Sequence, residues 1–390
     1  MRRVRLKEFG TFYSGLSGKS KSDFSEGNAL LVTYRNIFNN PVLNPAIKDT
    51  VVVGKDEKQN EVLWGDILIT GSSETPADAG MSSVVLFNPQ EKMYLNSFCF
   101  GFRLNDMNEA LPSYIGHLLR STSIRAAISK TAFGVTRFNV NRMRFADIEI
   151  PLPPLNIQKE IVSILDSFTS LIGKMKQEVE MRKKQMEYYR EKLMAPQTNW
   201  KIKTLGEIGT FTRGNGLQKS DFRVKGFPCV HYGQIHTYYN TCIYKTKSFC
   251  EEDLAKKLQK ASYGDLLIAT TSEDVKACCK AAVWFGTGDV AYSGDSFCYS
   301  HDQDPKYMAY LFQTEMFAKQ KQKAATGAKV IRVSGESMAS FSFAFPPLVQ
   351  QRQIASILDS FETYISKLEK TIELRQKQYE YYREKLLTFE

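Results

Sequence analysis

The sequence predicts an α+β chain: two tandem mixed α/β bodies, each followed by a long helix, the two helices antiparallel and paired as a coiled coil. Three observations carry this. Pro-Pro-Leu occurs at 153–155 and again at 346–348. From Pro151/Ala344 to Met194/Leu387 the two tracts agree at 24 of 44 positions, without a gap and always 193 apart. Within each tract apolar residues return every three or four positions, the period of one helix face.

In chain order, the first body is expected over 1–152, with strands at Ala29–Val32, Val51–Val53, Ile67–Thr70, Val84–Phe87 and Phe98–Phe102. Polar and Gly turns separate these runs. One amphipathic helix, about Leu111–Thr131, closes the body. A central helix follows over 153–195, its apolar stripe running Ile161, Ile164, Phe168, Leu171, Met175, Val179, Met186, Tyr189 and Leu193. The prolines stand where a helix can begin but not extend backward. The second body, 196–345, repeats the plan with a strand at Leu266–Ala269 and a helix at about Pro305–Ala325. The C-terminal helix, 346–390, repeats the stripe, and Arg182 and Arg375 interrupt the two copies at matching places.

The bodies align more weakly than the helices. Lys21-Ser-Asp-Phe24 returns as Lys219-Ser-Asp-Phe222, Trp64-Gly-Asp-Ile-Leu-Ile69 as Tyr263-Gly-Asp-Leu-Leu-Ile268, and Ser97-Phe-Cys99 as Ser296-Phe-Cys298. Alike helices with unlike bodies imply one shared structural role and two different surfaces.

Composition narrows the function. With 43% hydrophobic and 24% charged residues the chain reads as an ordinary globular protein, not a collagenous or low-complexity one. No run approaches the roughly 18 apolar residues of a membrane span, and no apolar segment follows the charged N-terminus, so a cytoplasmic location is expected. The seven cysteines form no C-x-x-C, which fits reduced thiols. Zinc held by Cys278, Cys279 and His301 is an alternative, although adjacent cysteines are not the usual ligand spacing. There is no Walker loop, no H-E-x-x-H and no G-x-S-x-G. Phe285-Gly-Thr-Gly288 faintly suggests an S-adenosylmethionine loop but lacks a following helix, and a hairpin turn is the plainer reading. No catalytic residue and no metal ligand is assigned.

The net charge of +10, from 52 Lys+Arg against 42 Asp+Glu, is local. Between Glu109 and Asp147 there is no acid, but there are Arg120, Arg125, Lys130, Arg137, Arg142 and Arg144. Between Glu315 and Glu336 there is no acid, but there are Lys319, Lys321, Lys323, Lys329 and Arg332. Such runs are often solvated faces; two at equivalent places, each running into a Gly-containing loop, suggest phosphate contacts. Lys19, Lys21 and Lys219 extend the candidate DNA-binding set. Tyr34-Arg35-Asn36 corresponds to Tyr232-Gly233-Gln234. Arg35, Asn36, Gln234 and the nearby His236 are side chains that can address base edges.

With these residues in view, the chain resembles the specificity (S) subunit of type I DNA restriction–modification systems. The resemblance rests on Pro-Leu-Pro-Pro-Leu-x-x-Gln at 151–158 with Ile161 and Ile164-Leu165-Asp166, and on Pro346-Pro-Leu-x-x-Gln351 with Ile354 and Ile357-Leu358-Asp359. The Gly-Asp-Ile/Leu-Leu strands at 65–68 and 264–267 support it, and it spans the full length. It implies that each body is a target recognition domain reading one half of a bipartite site in double-stranded DNA, with the helices as a spacer. Two methyltransferase (M) subunits would bind, and two restriction (R) subunits can join them. The assembly would methylate adenine with S-adenosylmethionine, or cut unmethylated DNA using ATP and Mg. This chain would bind none of these cofactors. Tyr188-Tyr189-Arg190 and Tyr381-Tyr382-Arg383 are candidates for M-subunit docking, with coiled-coil packing as the competing use. A lone DNA methyltransferase or nuclease, and a coiled-coil scaffold unconnected with DNA, remain the alternatives.

Overall fold

The computed structural model describes residues 2–389. The chain divides into two compact units, Met1–Lys176 with Lys370–Glu390, and Gln177–Glu369. Each unit is therefore one body plus a segment of both long helices, rather than a body with the single helix that follows it.

In the first unit an antiparallel sheet runs in the spatial order Gly10–Ser14, Cys99–Leu104, Ile67–Thr70, Ser82–Val84. A second sheet is formed by Thr50–Val51, Ala29–Val32 and Met93–Leu95. The expected strand at Val84–Phe87 is displaced: pairing ends at Val84, and Leu86 is exposed. The core gathers Phe9, Phe100, Phe102, Phe145, Tyr114 and Leu118. In the second unit, Gly209–Arg213, Ser296–His301, Leu266–Ala269, Lys280–Trp284 and Cys242–Ile243 form the main sheet, with Trp284, Tyr299, Tyr307 and Tyr310 buried.

A short strand at each N-terminal end has no clear sequence signal. Arg2–Arg5 pairs antiparallel with Glu149–Leu152, and Lys201–Thr204 with Ser342–Phe345. These pairs tie the start of each body to the residues just before its long helix.

The single amphipathic helix expected near the end of each body is two helices, Pro112–Leu119 and Thr122–Ser129 in the first, Pro305–Leu311 and Glu315–Ala324 in the second. A hydroxyl causes the break. Ser121 Oγ donates to Leu118 O at 2.7 Å, and Thr314 Oγ1 to Leu311 O at 2.7 Å. Side chains of this kind offer carbonyls a partner other than the next helical amide. The Phe285–Gly288 segment is a turn whose Gly288 carbonyl accepts from the Trp284 indole, but its flanking strands belong to different sheets, so it is not a hairpin.

The long helices span Leu155–Leu193 and Leu348–Leu387, 39 and 40 residues. At 1.5 Å per residue each is about 60 Å long. Their pairing is antiparallel within each unit. In the first, Phe168 stacks on Tyr382 at 5.5 Å; in the second, Tyr189 stacks on Phe361 at 5.6 Å. Arg182, which breaks the stripe, lies over the Tyr364 ring and bonds Glu178 and Gln185. Among the described residues no helix is long and apolar enough to cross a membrane.

Candidate nucleic-acid interface

The residues behind the Pro-Pro-Leu-x-x-Gln repeat form the junctions between bodies and helices. Gln158 is fully buried; its amide donates to the Glu109 and Pro153 carbonyls at 2.9 and 2.8 Å and accepts from Leu111 N–H at 2.9 Å. Gln351 repeats this, donating to Pro346 O and Gln303 Oε1 and accepting from Asp304 N–H. Asp166 bonds His117 at 2.8 Å, and His117 bonds the Tyr379 hydroxyl at 3.1 Å. Its counterpart Asp359 accepts from the Tyr310 hydroxyl at 2.8 Å and pairs with Lys306.

The far ends of the helices are also anchored alike. Glu384 accepts from Thr122 N–H at 3.0 and 2.9 Å, and Glu191 from Glu315 N–H at 3.2 Å through both oxygens. Each carboxylate sits at a helix N-terminus, where negative charge is favoured.

The two Tyr-Tyr-Arg tripeptides divide between packing and exposure. Tyr189 and Tyr382 stack across the helix pair. Arg190 and Arg383 are mostly covered and paired with Glu191 and Glu384. Tyr188 and Tyr381 are exposed. Only these two tyrosines remain open for docking, and exposed apolar residues accompany them at matching positions: Ile164 and Ile357, Leu171 and Tyr364, Met181 and Leu374.

The basic stretches divide as well. Arg125 is not a phosphate contact: its guanidinium donates to the Gly80, Ala77 and Ala79 carbonyls at 2.7, 2.6 and 2.6 Å, and burial lowers its pKa. Arg120 is likewise turned inward, onto the Ser82, Ile37 and Phe38 carbonyls, and burial pushes it down to about 10. Lys321 is buried and donates to the Lys276 and Cys278 carbonyls at 2.9 and 2.8 Å.

Lys276 and Cys278 are the repeat counterparts of Ala77 and Ala79, so the two units cap one loop with different cations from different helix positions. Lys321 stands where the first unit has Ile128. There a Cβ on Gly80 would meet Ile128 at 2.6 Å; the second unit carries Cys279, at φ +63°, in place of Gly80 at φ +69°.

Four further candidates are committed elsewhere. Lys19 pairs with Glu57 and its side chain is largely covered. The Asn36 amide holds its own loop, bonding Asn44 O, Asn44 N–H and Asn40. Gln234 donates to Ser248 Oγ at 2.7 Å and accepts from His231 N–H. His236 Nε2 bonds Thr271 O at 3.0 Å.

The remaining candidates are exposed: Lys21, Arg35, Lys130, Arg137, Arg142 and Arg144 in the first unit, and Lys219, Lys319, Lys323, Lys329 and Arg332 in the second. Two are pre-positioned. Arg137 donates to Ser72 Oγ and lies over Phe98, while Arg142 donates to Ser14 Oγ and lies over Phe100. Arg137 belongs to a turn between Ala132–Phe133 and Phe138–Val140, beside the exposed Phe133 and Val135. Cations held over apolar groups at a turn can meet phosphate and base edge together.

A polar cleft of about 530 Å³ in the second unit was missed in the sequence. It is lined by Arg213, Gln218, His231, Tyr232 and Asp295 among others. No fixed spacing links these residues, although His231 borders the Tyr-Gly-Gln segment already noted. Cys278, Cys279 and His301 do not form a metal centre: among the described residues no cluster of three His, Cys, Asp or Glu is placed to hold a metal ion.

Comparison with known proteins gives one answer. The family profile described as the type I restriction modification DNA specificity domain matches residues 1–181 and 197–376. A Haemophilus influenzae protein assigned as a type I restriction enzyme specificity subunit is 30% identical over 272 residues, 66% of this chain and 68% of the relative. The EcoR124I/EcoR124II specificity subunit of Escherichia coli is 28% identical over 256 residues, 62% of this chain and 63% of the relative. The crystal structure of the type I restriction–modification S subunit from M. genitalium shares the fold, with TM-score 0.57 and 15% identity, covering 100% of this chain and 96% of that one. A structure from work on complex assembly and conformational transition of the type I system gives 0.59 at 14% identity, covering 99% and 97%. With two matched copies spanning most of its length, the chain belongs to the type I restriction–modification DNA specificity family.

Proposed function

We propose that this chain is the DNA-reading subunit of a type I restriction–modification assembly and supplies recognition but no reacting group. Each body reads one half of a bipartite, asymmetric site in double-stranded DNA, and the paired helices set the gap. Two methyltransferase subunits dock on the helices, and two restriction subunits can join them. S-adenosylmethionine, ATP and Mg serve those partners. The assembly methylates adenine or cuts unmethylated DNA, and it works in the cytoplasm, a setting that suits seven free cysteines.

The observation that carries this reading is the contrast between scaffold and surface. Gln158 and Gln351 anchor the helix starts by two matching bonds, to the Pro153 and Pro346 carbonyls and from the Leu111 and Asp304 N–H groups, and Glu384 and Glu191 anchor the helix ends. The exposed apolar residues on the helices recur at equivalent positions, as two copies of one partner require. The exposed cations of the bodies differ, as two different half-sites require.

Salt dependence tests DNA reading by the assembly. Each phosphate contact contributes about 0.9 to the slope of log affinity against log salt concentration. Lys130→Ala with Arg144→Ala should flatten that slope by about 1 to 2 and leave the melting temperature in place, because both side chains are exposed. An unchanged slope would remove this surface from the interface.

A further inference from the structure

We propose that the cleft bounded by Arg213, His231, Tyr232 and Asp295 is a base-reading site of the second body, and that it takes the major-groove edge of a G·C pair in duplex DNA. The inference rests on the DNA-reading function above and names which residues of one body carry specificity.

The cleft lies among the surviving cationic candidates. Gln218, on one wall, precedes the exposed Lys219. On the other side, Asp295 Oδ1 accepts from Thr271 Oγ1 at 3.3 Å, and Thr271 pairs in register with Arg332. A backbone held by Lys219 and Arg332 would therefore run past the opening.

The polar groups inside are of three kinds. Arg213 uses only its Nε, donating to Gly294 O at 3.2 Å. Its terminal nitrogens have no partner among the described residues, and no ion pair joins it to Asp295. An Arg and an Asp that share a cleft without neutralising each other leave a donor fork and an acceptor to outside groups. Arg is the common bidentate partner of guanine O6 and N7, and a carboxylate accepts from cytosine N4. Together they match the two members of one G·C pair.

His231 adds a fixed donor. Its Nδ1 accepts from Gly233 N–H at 3.1 Å, which places the proton of the neutral ring on Nε2. Burial, and then the charge of Lys219, lower its pKa and favour the neutral ring. It packs on Tyr232 at 4.5 Å, which steadies its direction.

The equivalent positions of the first body hold different chemistry. Arg213, His231 and Asp295 correspond to Ser14, Thr33 and Asn96, while Tyr232 corresponds to Tyr34. Ser14 there accepts from Arg142, and Asn96 Oδ1 accepts from Phe98 N–H. The wall aromatic is kept and the reading groups are exchanged, as expected where two copies of a fold recognise different sequences.

The test uses the chain assembled with its methyltransferase subunit and single-molecule mapping of methylated adenines. In Arg213→Ala and Asp295→Asn the motif should keep one half-site and the gap, and lose a G·C requirement at one position of the other half. In parallel, 7-deazaguanine at that position should weaken wild-type binding about tenfold and have little further effect on Arg213→Ala. Wild-type motifs in both variants, or indifference of the wild-type assembly to 7-deazaguanine at every guanine of the site, would overturn the inference while leaving DNA reading intact. Absence of any site-specific methylation by the wild-type assembly would instead overturn DNA reading itself, and the inference with it.

Discussion

Gln158→Ala should cost the first unit about 3 kcal/mol of stability, and Gln351→Ala should cost the second unit a similar amount. Each substitution removes a fully buried amide that makes three hydrogen bonds. The groups left behind are a backbone N–H and two acceptors, and water cannot freely replace the lost partner. An unsatisfied buried polar group costs about 1–3 kcal/mol, so three partly covered ones sum to a few. The damage should stay local, because each Gln joins one body to the start of one helix. Hydrogen exchange in urea provides the measurement: faster exchange confined to 2–152 for Gln158→Ala and to 201–345 for Gln351→Ala. Losses below about 0.5 kcal/mol, the range of ordinary surface changes, would mean that these amides are not what seats the helices.

The second large effect concerns two cations that the charge pattern alone would assign to DNA. Arg125→Ala should destabilise the first unit by about 3–4 kcal/mol: hydrogen bonds from a charged donor are worth about 1.5–3 kcal/mol each, and of the three lost the exposed one to Ala77 is largely replaced by water. Lys321→Ala should cost somewhat less, with two lost bonds and a buried position partly emptied. Lys130→Ala and Lys323→Ala should lie within about 0.5 kcal/mol of wild type. Denaturant midpoints separate the two groups. If Arg125→Ala melted like wild type but bound DNA weakly, the inward assignment of Arg125 would be wrong.

These cations show where the sequence stops being informative. A run of Lys and Arg without acids marks a basic segment, but the carbonyls that claim Arg125 lie 45–48 residues away, in a Gly/Ser/Pro-rich loop (71–80) that reads as an ordinary exposed turn and gives no sign of the cation it holds. The same limit hid the assignment of Lys19, Asn36 and Gln234. The repeat, by contrast, was legible because 24 of 44 positions agree, and its matched apolar stripes lie on the helices Leu155–Leu193 and Leu348–Leu387. The stripe also indicated pairing. It could not show that each compact unit borrows the end of the other helix, since periodicity names a face and not the body it meets. Arg2–Arg5 escaped for a different reason: a strand with three arginines and one buried valine carries almost no hydrophobic alternation. The cleft of Arg213, His231 and Asp295 draws on three separate chain segments, so no local pattern announces it.

The units also dictate how a body should be exchanged. Glu384 of the C-terminal helix caps Thr122 of the first body, and Gln158 of the central helix holds Glu109 and Leu111. A replacement for residues 1–152 therefore has to offer two free N–H groups and a carbonyl at those places. The most direct test of the central claim is the methylation motif of an assembly carrying such an exchanged body, mapped adenine by adenine beside the parent. The prediction is a site with one half replaced, the other half retained and the gap unchanged. A motif altered in both halves or in neither, or a changed gap with both halves retained, would contradict the account of two independent readers on a common helical scaffold.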